Sequence, residues 1–346
     1  MKKSVFKSRY YWAIVIAAVA ALIWLLWGNK GGALKEFKHE GVVWTTEYHI
    51  TYTAPVDLND SIQEILRQID ASASVYNKTS AVTRWNASEG GGEVDRFIAM
   101  LYTAASDVYR RSEGAYDPTV MPLVNAWGFG YKSGKLPDRA QLDSILTFVG
   151  LNKTKLDGTT LSKSDPRVQL DFSSIAKGMA CDEIVRMLVR NGASSAMVEI
   201  GGEVACHGSN ARGEAWTVSI DLPVEEDEGD DVQHNSAAIV RLDGNMHGVA
   251  TSGSYRKWKE SNGKKLSHIV DPKTGSADES NLLSVTIIAP DCMTADAWAT
   301  ACMAMGVERT QQMMKENNTL GVMTIHVDDQ KRLVVWTNKT FTDRQP

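Results

Sequence analysis

The stretch Leu170-Asp-Phe-Ser-Ser-Ile-Ala-Lys-Gly178 brings a carboxylate, two hydroxyls, an ammonium group and a glycine into nine residues. Where a helix begins, unpaired backbone N–H groups favour an anion, and Lys177 adds positive charge at the same end. Asp171 is suited to accept from a ligand N–H or hydroxyl. A phosphorylated ligand is the chemistry that these residue types support. The spacing matches neither the phosphate loop G-x-x-x-x-G-K-[ST] nor the dinucleotide fingerprint G-x-G-x-x-G. For the motif alone, a surface lysine and a turn-capping aspartate are the stronger reading.

Further chemistry lies towards the C-terminus. On a helix, Asp296 and Thr300 fall at i and i+4, so a carboxylate and a hydroxyl share one face, and both are oxygen ligands of the kind Mg²⁺ accepts. The commoner arrangement, Thr294 as N-cap with Asp296 in the first turn, explains the same residues and is favoured for the segment alone. His268 precedes an Asp271-Pro-Lys-Thr-Gly275 turn on a half-buried strand. A histidine there can act as a base near neutral pH, although a lone strand histidine is more often structural. Glu199-Ile-Gly-Gly-Glu203 allows either a close backbone approach by a ligand or a tight turn between strands. No Ser-His-Asp or Cys-His arrangement follows from spacing, and no histidine cluster offers zinc ligands.

These residues need elements to position them. Alternation in Gly41 to Thr53 predicts a strand, and Asp57 to Asp60 caps a helix whose inner face is Ile62, Ile65, Leu66 and Ile69. Ala71 to Ala87 reads as a polar loop presenting aromatics. A second helix is expected from Glu93 to Ser112, with Gly114 as its stop. Gly114 to Gly130, with its prolines and glycines, is an ordered loop. A short helix over Gln141 to Val149 and a hairpin around Asp157-Gly158 follow. The opening turn leaves a strand and feeds a helix from Ile175 to Arg190. Strands are then predicted over Ala196 to Ile200, Trp216 to Asp221, Ala238 to Leu242 and Leu282 to Ala289. Helices from Met293 to Met305 and Glu308 to Lys315 precede two closing strands. Strands come in runs without regular βαβ alternation, so the fold class is α+β with largely antiparallel sheet.

Composition limits the rest. A chain of 346 residues, 43% hydrophobic and 23% charged, buries a sizeable core in one large or two packed domains. A net charge of −5, with no basic run beyond the N-terminus, gives no footprint for nucleic acid. Lys2, Lys3, Lys7 and Arg9 precede an apolar run from Tyr10 to Trp27, which predicts an uncleaved single-pass anchor with the body outside the cytoplasmic membrane. Residues 1–9 are then a basic leader, 10–27 the anchor, 28–40 a linker and 41–346 the folded body. Six acids within 224–231 read as a solvated loop. Cys181, Cys206, Cys292 and Cys302 lack C-x-x-C spacing and read as core thiols, with one disulfide left open.

Six segments together resemble the ApbE family of FAD:protein FMN transferases: GAYDPTVMPLVNAWGFG (Gly114 to Gly130), LDFSSIAKGMACD (Leu170 to Asp182), VEIGGEV (Val198 to Val204), VATSGSYR (Val249 to Arg256), LSHIVDPKTG (Leu266 to Gly275) and SVTIIAPDCMTADAWATA (Ser284 to Ala301). The resemblance runs from about Gly41 to the C-terminus. It implies a T-fold-like, two-lobed α+β body and a Mg²⁺-dependent enzyme that splits FAD, transfers FMN to a threonine or serine hydroxyl, and releases AMP. Asp296, Thr300 and the Ser174 carbonyl are then metal ligands, and Asp171 and Lys177 contact FAD. Trp44, Tyr76 and Ala115, Tyr116 and Asp117 line the flavin or adenine pockets. His268 lies beside the flavin phosphate as candidate base, and Asp296 serves catalysis through the metal. At Trp44 the run Trp44-Thr45-Thr46 departs from the family's methionine before Gly-Thr, and the lipid-acceptor cysteine of some relatives is absent. Implied partners are acceptor flavoproteins of membrane redox complexes or other exported proteins. FAD pyrophosphatase and a membrane-tethered flavin-binding protein remain alternatives.

Overall fold

β-branched and aromatic residues with period-two burial build the sheet that carries the site. In the computed structural model of the chain, residues 33–346 are described apart from 131–135, 224–235, 243, 245–246, 255–257, 262–263 and 278–279, together with Trp12, Val15, Ala17 and Val19. Among these residues an eight-stranded sheet is formed by β1 (Lys35–Val43), β2 (Thr46–Ala54), β3 (Ser195–Ile200), β4 (Glu203–His207), β5 (His247–Gly253), β6 (Leu282–Ala289), β7 (Gly321–Val327) and β8 (Leu333–Thr337). Its spatial order follows chain order, and each strand is antiparallel to the next. The fold class is therefore α+β with antiparallel sheet.

The helices lie in the long connections. Between β2 and β3 come α1 (Asn59–Ala73), α2 (Arg96–Arg111) and α3 (Ala176–Arg190), and between β6 and β7 comes α4 (Cys292–Met305). Ile62, Ile65, Leu66 and Ile69 of α1, and Phe97, Leu101, Ala105 and Val108 of α2, face the main core with the inward residues of β2 and β3. α4 is buried on nearly every side, as its continuous apolar composition requires, and packs on α3, β5 and β6. The other face of the sheet is covered by a hairpin of Trp216–Asp221 and Ser236–Leu242, whose Ile220, Val240 and Leu242 meet Val204, Val249, Ile288 and Ile325. A third, smaller cluster joins Leu123, Leu142 and Val149 to Val270 and Ala277.

Several expectations are corrected. The single strand over Gly41 to Thr53 is a hairpin that begins at Lys35, within the expected linker, and turns at Trp44 and Thr45, both with positive φ of 49° and 64°. α1 begins after Leu58 without a side-chain cap; Asp57 instead accepts from the Asn59 N–H at 2.9 Å. Ala81–Ala87, expected in a surface loop, is a helix capped by Ser80, and Trp85 is buried with its indole N–H on the Leu161 carbonyl at 2.7 Å. No strand precedes the 170–178 turn; Gln169 makes only an isolated bridge to Val120. The four cysteines are free and buried. Among the described residues no helix is long and apolar enough to cross a membrane. Most of the run 10–27, the basic leader and the acidic stretch 224–231 lie outside the described residues.

Candidate active site

The site is built where α3 and α4 meet. A Cβ on Gly178 would lie 2.4 Å from the Cys292 carbonyl oxygen, and one on Gly248 2.1 Å from the Cys292 nitrogen, so only glycines let α4 seat its first turn between α3 and β5. Asp182 of α3 accepts from the N–H groups of Cys292 and Met293 at 2.9 and 3.0 Å. Burial and the nearby Asp291 charge push the Asp182 carboxyl up to about 7, against the pull of those N–H donors. The N-cap of α4 is Asp291, which accepts from the Thr294 N–H at 2.8 Å; the capping role expected of Thr294 is not observed. Asp296 is thus displaced one turn inward, 3% exposed, and accepts from the Gly178 N–H at 3.1 Å.

Around Asp296 the charges do not balance. The Lys177 ammonium is ion-paired with Glu203, which is buried at the start of β4. Burial opposes the Lys177 charge, but Glu203 and Asp296 outweigh it and hold the ammonium above the ordinary lysine range. Both carboxyls are pushed up by burial and pulled back by Lys177, and Asp296 adds its own charge against Glu203. We read the ammonium as charged, because two carboxyl groups share it. Glu203 Oε2 faces the Lys177 ammonium and has no other polar partner among the described residues, so two buried carboxyl groups share one ammonium.

The 170–178 turn is fixed from two sides. Lys163 donates from its ammonium to the carbonyls of Asn86, Pro166 and Val168, each at 3.1 Å, which anchors the approach to Leu170. Asn86 then pairs with Leu170 as a strand would: its amide donates to the Leu170 carbonyl at 2.9 Å and its oxygen accepts from the Leu170 N–H at 2.7 Å. The Asp171 N–H donates to the Pro118 carbonyl at 2.8 Å, and the Asp171 carboxylate accepts from the Ser173 N–H at 2.8 Å. Ser174 donates to the buried Tyr116 hydroxyl at 3.2 Å. Burial raises the Tyr116 pKa, and the charges of Asp296, Asp171 and Asp117 add to that, so the phenol stays protonated. Thr300 reaches Ser252 of β5, oxygen to oxygen, at 3.4 Å.

Other expected residues form the rim. Trp44 donates to Asp70 at 3.1 Å and Asn77 to the other Asp70 oxygen at 2.8 Å, which ties the β1–β2 turn to the loop bearing Tyr76. Tyr76 is 66% exposed and within reach of the Asp171 charge, which, after partial burial, raises its pKa. Ala115 is buried beside Tyr116. The Asp117 carboxylate accepts from the Thr119 N–H and hydroxyl and the Leu151 N–H at 2.8, 2.7 and 3.1 Å, so its capacity is taken up by the chain. His268 lies just past the strand Lys264–Ser267, in a bend rather than on the strand, with its ring 6.5 Å from that of Phe129 at 65°.

The structure therefore brings Tyr116, Asp171, Ser174, Lys177, Asp296 and Thr300 into one cluster, with Trp44 and Tyr76 at its rim. Glu203 and Ser252 join it without having been given a site role from sequence; Glu203 closes the Glu199-Ile-Gly-Gly-Glu203 motif, which was read for its glycines alone. Surface clefts of about 330 and 280 Å³, beside Gln141 and Ile145 and beside His247 and Arg344, lie among other residues. Among the described residues no group of three or more His, Cys, Asp and Glu is placed to hold a metal. The Asp296 carboxylate, Thr300 hydroxyl and Ser174 carbonyl form a smaller set of hard oxygens. Oxygen donors of these types suit Mg²⁺.

Fold and site define an α+β protein with a lysine- and serine-bearing turn and a buried carboxylate apposed across two helices. The chain belongs to the ApbE family, whose sequence model matches residues 44–324. It is 35% identical over 300 residues to an FAD:protein FMN transferase of Haemophilus influenzae, covering 82% of this chain and 85% of that relative. With the FAD:protein FMN transferase of Escherichia coli (strain K12) it shares 36% identity over 267 residues, 75% and 74% of the two chains. Its fold matches that of the flavin transferase ApbE from Vibrio cholerae with a TM-score of 0.78 at 30% identity, over 90% of this chain and 99% of that one. The apo form of the Pseudomonas stutzeri flavinyl transferase ApbE gives 0.80 at 31%, over 90% and 97%.

Proposed function

We propose that this chain is an FAD:protein FMN transferase that attaches FMN through a phosphoester to a threonine or serine of a target protein. The observation that carries the reading is the α3–α4 junction, where Asp171, Ser174 and Lys177 of the phosphate-type turn stand against Asp296 and Thr300. Lys177 brings positive charge to the pyrophosphate, since the N–H groups of Ser173, Ile175, Ala176 and Gly178 are spent on Asp171, Phe172 and Asp296, and Trp44 and Tyr76 flank the planar rings at the rim. His268 takes the proton of the incoming hydroxyl, whose oxygen bonds to the FMN phosphorus as the P–O bond to AMP breaks; AMP leaves with that electron pair. Asp296, the Thr300 hydroxyl and the Ser174 carbonyl would hold Mg²⁺, which when bound neutralises charge on the pyrophosphate. Tyr116 keeps Ser174 in place beneath the ligand.

The basic leader and apolar run support a body outside the cytoplasmic membrane, near exported acceptor flavoproteins. To test the activity, the chain is incubated with FAD, Mg²⁺ and an extract of cells lacking its gene, and proteins are separated in a denaturing gel. Flavin fluorescence that stays on a protein band is the expected result. Free FMN without a labelled band would make the chain a pyrophosphatase, and intact FAD would make it a flavin-binding protein.

A further inference from the structure

The Gly114–Gly130 segment contributes Tyr116 to the site, yet its second half, Asn125-Ala-Trp-Gly-Phe-Gly130, is not used by the reaction above. That half is built against the turn that follows His268. The Asp271–Gly275 turn closes on itself through the Gly275 N–H to the Asp271 carbonyl at 2.8 Å, and through Lys273 N–H and Thr274 hydroxyl donors to the Asp271 carboxylate at 2.8 Å each. From outside, the Trp127 indole N–H donates to the Gly275 carbonyl at 2.8 Å and Arg139 to the Thr274 carbonyl at 3.3 Å. Leu123 lies 3.2 Å from where a Gly275 Cβ would stand. The small cluster of Leu123, Leu142, Val149, Val270 and Ala277, with Trp127 and Phe129 against it, is the packing face of this contact. One residue beyond Gly128, the Phe129 ring meets the His268 imidazole edge-on.

We propose that Trp127 and Phe129 are positioning residues for His268: the indole pins the Asp271–Gly275 turn, and the phenyl ring sets the direction of the imidazole. His268 stands in a bend past the end of its strand, so sheet register does not direct its side chain, and the Phe129 ring is one of the contacts that orient it. The same segment holds Tyr116 against Ser174, so one stretch of chain fixes the spacing between the imidazole and the phosphate turn. This rests on the reading of His268 as base, and the experiment separates the two.

Initial rates of labelling of the strongest fluorescent band are measured for the full chain carrying Phe129→Leu, Phe129→Tyr, Trp127→Phe, His268→Gln or Phe129→Leu with His268→Gln, alongside FAD affinity and thermal midpoint. Phe129→Leu is expected to lower the maximal rate about tenfold or more while FAD affinity stays within about twofold. Phe129→Tyr, which keeps the ring edge, restores most of the rate. Trp127→Phe, which removes the N–H donor together with part of the ring but keeps an aromatic side chain, lowers the rate, and it carries the test if Phe129→Leu does not fold. The double variant is no slower than His268→Gln alone. A wild-type rate in both Phe129→Leu and Trp127→Phe, or losses that multiply in the double variant, would overturn the proposal while leaving the base intact. A wild-type rate in His268→Gln would remove the base reading itself.

Discussion

Asp296 and Glu203 share the Lys177 ammonium, and substitutions of Asp296 and Lys177 should differ in kind. Asp296→Asn keeps the shape and the acceptor for Gly178 but removes the charge. Labelling should fall by about 100-fold or more, with a thermal midpoint at or above that of the wild type, because a buried carboxyl held above its usual pKa is relieved. Lys177→Met leaves Glu203 buried without its ammonium, and should cost about 3 kcal/mol in urea unfolding. Adding Glu203→Gln should recover part of that loss; no recovery would show that the pair contributes little. The motif residues Asp171, Lys177, Asp296 and Thr300 were visible in the sequence from type and spacing. Glu203 was not, because its role depends on β4 bringing it under Lys177, a pairing across 26 positions that no local pattern encodes.

At the scale of elements, the glycines at the α3–α4 junction decide whether the halves of the site meet. Gly178→Ala forces a methyl against the Cys292 backbone and should cost about 1–3 kcal/mol by thermal unfolding. FAD affinity should fall with it, and an unchanged affinity would place the turn beyond the reach of the helix contact. On the β2–β3 side, His49 Nδ1 lies 2.7 Å from Glu199 Oε2, and the other Glu199 oxygen accepts from the Gly202 N–H at 2.6 Å, bracing the turn before Glu203. The Glu199 hydrogen bond raises the His49 pKa above 6.5, with burial opposing. The folded-state pKa is the higher one, so the stabilisation is complete below 6.5 and is lost as pH rises through the raised value. Wild type should exceed His49→Gln by no more than about 1 kcal/mol near about pH 5.5, since the pair is exposed, and the difference should vanish near about pH 8.5. Helical periodicity made α1 to α3 legible, whereas α4, apolar and buried on nearly every side, carries little period. The β1–β2 turn was not, because Trp44 and Thr45 adopt positive φ without the glycine or asparagine that signals such a turn. Ala81–Ala87 is too short for its period to stand out, and β4 is buried along Glu203 to Cys206, so alternation is lost there.

Across the whole molecule, the antiparallel α+β class followed from strands in runs without βαβ alternation. The chain-ordered sheet did not, since β2 pairs with β3 across six intervening α-helices and a three-stranded sheet among the described residues. Both faces of β6 are buried, which explains why its apolar residues fall on both faces of the strand, with Ser284 and Thr286 buried among them, rather than on one. The N-terminal leader and apolar run give a test of placement: in intact spheroplasts, added protease should remove the body while a cytoplasmic marker survives. Protection of the body would put it on the other side of the membrane. The central claim concerns the fate of the two halves of FAD. With purified chain, FAD, Mg²⁺ and the acceptor identified by its fluorescent band, AMP release and flavin bound to acceptor hydroxyls are measured in one reaction. Equal amounts of AMP and protein-bound FMN, located on a threonine or serine, are predicted; AMP accumulating with free FMN and no bound flavin would contradict the account.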